Sequence, residues 1–168
     1  MTGLKLLILS DSHRVVEPMI RAVRHVRPDY LIHLGDLVTD ADALAAQFPQ
    51  LPLISVSGNC DFLDRSQETR IVELGGVRFL LTHGHRYGVK QDLLRLSLAA
   101  REAQAQAALF GHTHRAMAEQ RDGLWLINPG SCGPTLRPTC AVIEIDRQGF
   151  HCEIEMIHEW SEEHDFSR

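Results

Sequence analysis

Many of the carboxylate and imidazole side chains of this chain stand where short apolar runs stop. Lys5–Leu9 runs into Asp11-Ser12-His13, and Tyr30–Leu34 into Gly35-Asp36. Leu53–Val56, which reads as a buried strand, runs into Gly58-Asn59-Cys60-Asp61, and Val77–Leu81 into His83-Gly84-His85. Ala107–Phe110 runs into Gly111-His112-Thr113-His114. Carboxylate and amide oxygens together with imidazole nitrogens suit divalent manganese, iron, zinc or nickel rather than a thiolate site. In Asp11-Ser12-His13 and His112-Thr113-His114 the donors are two residues apart, so an extended backbone would turn both members of each pair to one cavity. Glycine before Asp36, Asn59 and His112, and after His83, allows a sharp turn or a close approach.

The elements that would position these donors can be read from periodicity. Val15, Val16, Met19, Ile20, Val23 and Val26 recur at helical spacing, and Ala41, Leu44, Ala45 and Phe48 mark a second short helix. Strands alternating with helices predict βαβ units and a largely parallel sheet in the first half. In the second half, Gly75-Gly76, Asp122-Gly123 and Gln148-Gly149 separate apolar runs in the manner of hairpins. Val89, Leu93, Leu96, Ala100 and Ala103 between them share a helical face. A parallel half and an antiparallel half suggest a sandwich of two sheets. In open α/β sheets ligands bind where the carboxyl ends of parallel strands share an edge. The donor clusters are therefore expected to meet in one crevice.

With 168 residues the chain reads as a single domain, 1–168, large enough to bury a core. Its 44% hydrophobic and 23% charged content is that of a soluble globular protein. A net charge of -5 argues against whole-surface attraction to nucleic acid or anionic membrane, so neither is expected as a partner. No stretch approaches the ~20 apolar residues of a membrane span. Met1–Ser10 is too briefly apolar for a signal peptide, and Cys60, Cys132, Cys140 and Cys152 form no paired motif. Free thiols in a reducing cytoplasm are the expectation.

The ordered series Asp-x-His, Gly-Asp, Gly-Asn-x-Asp, Gly-flanked His and Gly-His-x-His, from residue 11 to 114, resembles that of the calcineurin-like metallophosphoesterases. Within them it is most similar to the small single-domain YfcE-like phosphodiesterase subfamily, and Asn128-Pro129-Gly130-Ser131 extends the likeness. The resemblance implies a four-layer α/β/β/α sandwich with two mixed sheets, which agrees with the two-sheet reading. It implies two divalent metal ions, manganese first, with iron, zinc or nickel as alternatives. Asp11, His13 and His114 would hold one ion, Asn59, His83 and His112 the other, and Asp36 would bridge. Metals about 3.5–4 Å apart would bring a shared water towards a pKa of about 7, and the resulting bridging hydroxide would attack phosphorus. The implied activity is hydrolysis of a small phosphate ester, diesters before monoesters. The resemblance also leaves room for a homo-oligomer.

Asp36, Asn59 and His85 are the residues expected to serve catalysis. Many superfamily members carry His where Cys60 stands; a thiol near pKa ~8.5 is a weaker acid than an imidazole near ~6.5. Leaving-group protonation would then be weak, or fall to His85. Arg14, Arg86 and Arg115 each follow a motif directly, and a guanidinium matches phosphate oxygens in a planar fork. They are candidate substrate-binding residues, the alternative being solvated surface charges. His33 reads as a core residue, and His25, His151, His158 and His164 as surface residues. Asp61 reads as a turn cap or a residue orienting a ligand. Asn128–Ser131 reads as a turn walling the site, with Ser131 no nucleophile.

Two rival readings are a non-catalytic Vps29-like protein-interaction scaffold and a nuclease. A scaffold would show a broken ligand set, whereas every position here carries a competent donor. A nuclease would call for a basic surface, and none is visible.

Overall fold

The alternation of side chains along the first strand sets the layering. In β1 (Leu4–Leu9), Leu6 and Ile8 face one way and Leu7 and Leu9 the other, all of them fully buried. A strand apolar on both faces lies inside a layered structure. The computed structural model of the chain describes residues 3–62 and 67–157. His158 and His164 lie outside the described residues, as do Met1 and Thr2 of the leader reading.

After β1 come α1 (Glu17–Val26), β2 (Tyr30–His33), α2 (Val38–Gln47) and β3 (Leu53–Ser55). There follow β4 (Thr69–Leu74), β5 (Val77–Thr82), a 3-10 turn (His85–Tyr87), α3 (Leu94–Glu102) and β6 (Ala107–Leu109). β7 (Met117–Arg121), β8 (Leu124–Asn128), β9 (Thr139–Asp146) and β10 (Gly149–Met156) complete the order. One sheet runs β10-β9-β1-β2-β3 and the other β4-β5-β6-β8-β7. Leu6, Ile8, Ile32 and Ile143 of the first sheet meet Phe79, Leu81, Leu109 and Ile127 of the second. Leu7, Leu9 and Leu31 pack outward on Met19 and Val23 of α1 and Leu44 of α2. Leu80, Ala108 and Leu126 pack outward on Leu96 and Ala100 of α3. The architecture is the expected α/β/β/α sandwich.

The division into a parallel and an antiparallel half is corrected. β5, β6 and β8 are mutually parallel, and only the edge strands β4 and β7 run against them. The tight turns at Gly75-Gly76 and Asp122-Gly123, with φ of 59°, 78°, 47° and 80°, fix those two hairpins alone. Between β5 and β6 the chain crosses over through α3, the same device that makes β1, β2 and β3 parallel. The last hairpin, β9–β10, returns to the first sheet, with β9 antiparallel to β1. Each sheet is therefore mixed.

Two smaller expectations shift. β3 is a half-buried edge strand rather than a buried one. Val89 and Leu93 precede α3, which begins at Leu94 after a turn in which the Asp92 carboxylate accepts the Leu94 N–H (2.9 Å).

At the end of β2, His33 is fully buried and satisfied. Its Nδ1 accepts from the Gly35 N–H (3.2 Å), which leaves Nε2–H to donate to Ser12 Oγ (3.2 Å). Burial pushes the imidazole down to about 4, against the attraction of Asp11, Asp40 and Asp61. An unfolded chain binds that proton near pH 6.5, so the native state binds fewer protons and loses stability as pH falls from about 6.5 towards 4. His33→Gln removes this contribution. The unfolding free energy of wild type relative to the variant should drop by up to about 3 kcal/mol between pH 7 and pH 4, measured by urea denaturation. A constant difference would mean that the folded ring takes up its proton as readily as the unfolded one.

Candidate metal centre

The parallel strands β1, β2, β5 and β6 end at one edge, and the loops that leave them are bonded to each other. Asp11 N–H donates to Gly35 O (3.0 Å), His13 N–H to Asp36 O (3.4 Å) and Gly111 N–H to His83 O (3.0 Å). Donor clusters far apart in sequence thus share one backbone framework. The pairing of Asp11 with His13 and of His112 with His114 does not rest on extended backbone. Asp11, His13, Asp36, His112 and His114 have φ of 57°, 44°, 47°, 68° and 58°, in the left-handed region. Asp and His tolerate that region better than most residues, at about 1–3 kcal/mol each. The kinks swing successive side chains inward, where an extended strand would have sent the loop away from the edge.

The inward groups carry more lone pairs than protons. Asp11 is fully buried, and its Oδ2 accepts from Ser10 Oγ (2.6 Å) and the His112 N–H (3.1 Å). Its Oδ1 is buried with no hydrogen-bond partner among the described residues. Around that oxygen stand the Nε2 atoms of His114 (3.1 Å), His13 (3.8 Å) and His83 (3.8 Å). His13 Nε2 and His114 Nε2 face each other at 3.4 Å. Ligand atoms of Asp11, His13 and His114 lie within 4.8 Å of one another, as do those of Asp11, Asp36 and His83 and those of His13, Asp36 and Cys60.

His83 Nδ1 lies 2.7 Å from Leu34 O and must donate to it, since a carbonyl only accepts. In the neutral ring this turns the Nε2 lone pair towards Asp36 Oδ2 (3.3 Å) and Asn59 Oδ1 (3.1 Å). Both of those atoms are themselves acceptors, so the geometry suits a cation better than a proton shared among them. Burial pushes the Asp36 carboxyl up, but the proton that His83 offers in its charged form and the Cys60 N–H (2.9 Å) outweigh it and hold the group ionised. Burial pushes His83 down, and the hydrogen bond and charge of Asp36 with the charge of Asp11 outweigh it, so its pKa is raised. His112 sets its ring edge against His83 at 5.0 Å between centroids. Burial, then the charges of His83 and Lys90, lowers it to about 4, which leaves a neutral imidazole. An orphaned carboxylate oxygen ringed by imidazole nitrogens fits divalent metal.

Other residues hold these donors still. Asp61 accepts three backbone N–H groups, those of Asp36 (3.1 Å), Val38 (2.7 Å) and Gly58 (2.7 Å). It therefore orients the Asp36 loop, as read from its sequence position. Asp40, missed in the sequence, is buried in α2 and accepts from Ser12 Oγ (2.6 Å) and the Arg14 N–H (2.7 Å). A carboxylate in the first turn of a helix reads as ordinary helix chemistry, and no spacing links it to Ser12. Asn128 donates to Gly111 O (3.0 Å) and Thr113 Oγ1 (3.0 Å), and Ser131 Oγ donates to Asp11 O (2.9 Å). Ser131 is a brace.

The remaining candidates lie at the rim. Asn59 is exposed beside His83. The His85 ring lies tilted at 5.6 Å from His83 and edge-on at 6.1 Å from His112, with Glu68 at 4.0 Å. Its Nδ1 is buried without a partner, and burial first, then His83, lowers its pKa. Arg14 and Arg115 are exposed and, among the described residues, only their backbone N–H groups are bonded, whereas the Arg86 guanidinium is paired with Glu68. Cys60, Cys132, Cys140 and Cys152 are all free thiols.

Two glycines make room for the carboxylates. A methyl group at Gly58 would collide with Asp36 Oδ1, and one at Gly111 with Ser10 Oγ and Asp11 Oδ2. Gly111→Ala should therefore displace Asp11 and weaken metal binding by about 10–100-fold, the usual cost of disturbing a ligand's support. Titration calorimetry with manganese checks this; unaltered affinity would mean that Asp11 is not a ligand.

Comparison with known proteins agrees with this chemistry. The profile of the calcineurin-like phosphoesterase superfamily domain matches residues 4–148. The probable metallophosphoesterase YsnB of Bacillus subtilis (strain 168) is 39% identical over 131 residues, 76% of this chain and 75% of that protein. The phosphodiesterase YfcE of Escherichia coli (strain K12) is 28% identical over 152 residues, 76% of this chain and 79% of that protein. The vacuolar protein sorting-associated protein 29 of Schizosaccharomyces pombe is 32% identical over 93 residues, 55% of this chain and 49% of that protein. A solved structure from Streptococcus pneumoniae TIGR4, described as a predicted phosphoesterase, superposes with a TM-score of 0.79 at 26% identity. The superposition covers 94% of this chain and 92% of that one.

Proposed function

Because the chain belongs to the calcineurin-like phosphoesterase superfamily, we propose that it is a dinuclear-metal hydrolase of small phosphate esters, with diesters preferred. The observation that carries this reading is the orphaned Asp11 Oδ1 inside its ring of Nε2 atoms. Asp11, His13 and His114 would hold one cation and Asn59, His83 and His112 the other. Asp36 would serve both, since its carboxylate belongs to one donor group with His83 and to another with His13. Manganese is our first candidate, and iron, zinc and nickel suit the same donors. When bound, such cations supply the Lewis acidity that acidifies a water and neutralises charge on phosphoryl oxygens.

The chain's own residues do the rest. The Leu34 carbonyl fixes the His83 tautomer, and Asp61 and Asp40 hold the loops of Asp36 and Asp11 in register. Burial first, then the Asp36 charge, raises the pKa of Cys60, so the side chain stays a thiol and gives up its proton reluctantly. His85 is the candidate proton donor to the leaving oxygen. With neither group a strong acid at neutral pH, esters with good leaving groups should turn over fastest. The diester preference is drawn from the likeness to phosphodiesterase YfcE. Free thiols suit a cytoplasmic setting.

Hydrolysis of bis-p-nitrophenyl phosphate and p-nitrophenyl phosphate, with manganese and after chelation, tests this. The diester should be cleaved faster, and chelation should abolish both rates. Asp36→Asn should cut turnover by about 100-fold or more while weakening metal binding. Full turnover in the chelated protein, or in that variant, would end the reading.

A further inference from the structure

A cavity of about 110 Å³ opens beside the centre, lined by His13, His114, Ser131, Pro134, Thr135 and Arg137. Two of its walls are thus imidazoles assigned to metal. Its volume is far below the roughly 300–1,000 Å³ of a site for a drug-sized ligand and a few times the ~30 Å³ share of one water. It admits a compact group such as a phosphoryl, and not a nucleoside.

The segment that brings Arg137 there is anchored on the Asp11 loop. Cys132 N–H donates to Ser10 O (3.1 Å), and Ser131 Oγ to Asp11 O (2.9 Å). Ser131 Oγ accepts the Gly133 N–H (3.2 Å), and Thr135 N–H donates to Gly133 O (2.8 Å). Beyond Arg137, Thr139 N–H returns to Ser131 O (3.0 Å) and Pro138 O accepts the Ile157 N–H (2.8 Å). The loop is closed on itself and tied to the Asp11 loop.

Arg137 itself is exposed. Its backbone N–H bonds Thr135 Oγ1 (3.4 Å), and among the described residues nothing engages its guanidinium. In a chain of net charge -5, an arginine left uncompensated next to two metal-competent imidazoles is poorly explained as a structural ion pair. Arg86 shows the contrast, being paired with Glu68. A guanidinium donates in parallel to two oxygens of a phosphate and needs no deprotonation to do so.

We infer that Arg137 is a substrate-binding residue of this centre, donating to the phosphoryl oxygens of an ester seated between it and the His13–His114 pair. This rests on the phosphoesterase reading above and adds to it a residue that no metal-ligand motif contains.

The test measures kcat, KM and metal content for wild type, Arg137→Ala, Arg137→Lys and Arg147→Ala on bis-p-nitrophenyl phosphate, with inorganic phosphate titrated calorimetrically into each metal-loaded protein. Arg147 lies in the β9–β10 turn, at the end of the sheet away from the centre, and its removal costs the same charge. Arg137→Ala should raise KM by about tenfold or more and weaken phosphate binding in parallel, with kcat within about twofold and metal content intact. Arg137→Lys should recover part of the loss, and Arg147→Ala should match wild type. An unchanged KM and phosphate affinity in Arg137→Ala overturns the assignment, as does an equal loss in Arg147→Ala. Should wild type cleave no ester, the phosphoesterase reading fails by itself. The phosphate titration then still decides the role of Arg137, by whether binding falls in Arg137→Ala alone.

Discussion

Acceptors without protons, gathered at one sheet edge, are what the rest of this fold has to hold in place. Among the described residues Asp11 Oδ1 is buried with no hydrogen-bond partner, and His114 Nε2 stands 3.1 Å from it. Removing such a group from water without compensation costs several kcal/mol, and a neighbouring carboxylate, Asp36, makes the field more negative still. Nothing in an apolar core would keep these side chains together. What does so is the set of crossed backbone bonds between the loops, joined by Asp61, Asp40, Ser10 and Asn128. A cation converts the same arrangement from a cost into a binding site.

The layers serve that end. Because β1, β2 and β3 are parallel in one sheet and β5, β6 and β8 in the other, several strand ends face the same rim. Two sheets back to back bring that rim together from both sides: Asp11 and Asp36 come from the first, His83, His112 and His114 from the second. The apolar layer between them, with Phe79, Leu81 and Ile8 fully buried, fixes how far apart the two halves of the centre stand. Packing density in the core thus bears on a polar distance at its edge.

Much of this was legible in the order of residues. Apolar runs that stop abruptly at Asp11, Asp36, His83 and His112 report strand ends, and strand ends report an edge. The hairpin dipeptides Gly75-Gly76 and Asp122-Gly123 were equally plain, since both adopt positive φ. The direction of β6 against β5 was not, because a hairpin signal speaks only for its own two strands. Backbone conformation at the centre was also hidden: Asp11 and His13 share a cavity through left-handed kinks, not through the alternation of an extended strand. Asp40 and Arg137 escaped notice for a related reason. Each acts through partners remote in sequence, and neither carries a local pattern that sets it apart from a helix carboxylate or a solvated cation.

The place of β9 has an implication for how the molecule comes into being. β1 lies between β2, its neighbour in the chain, and β9, from the far end. Every proposed ligand is synthesised before β9 emerges, yet until it docks one flank of the strand that carries Asp11 is an open edge. The loop preceding β9 also supplies the Ser131 contact to that same residue. A nascent or prematurely terminated polypeptide would hold all the metal-competent side chains and still lack a rigid place to put them. Closure of the candidate centre in this way waits on a strand made after every one of its donors.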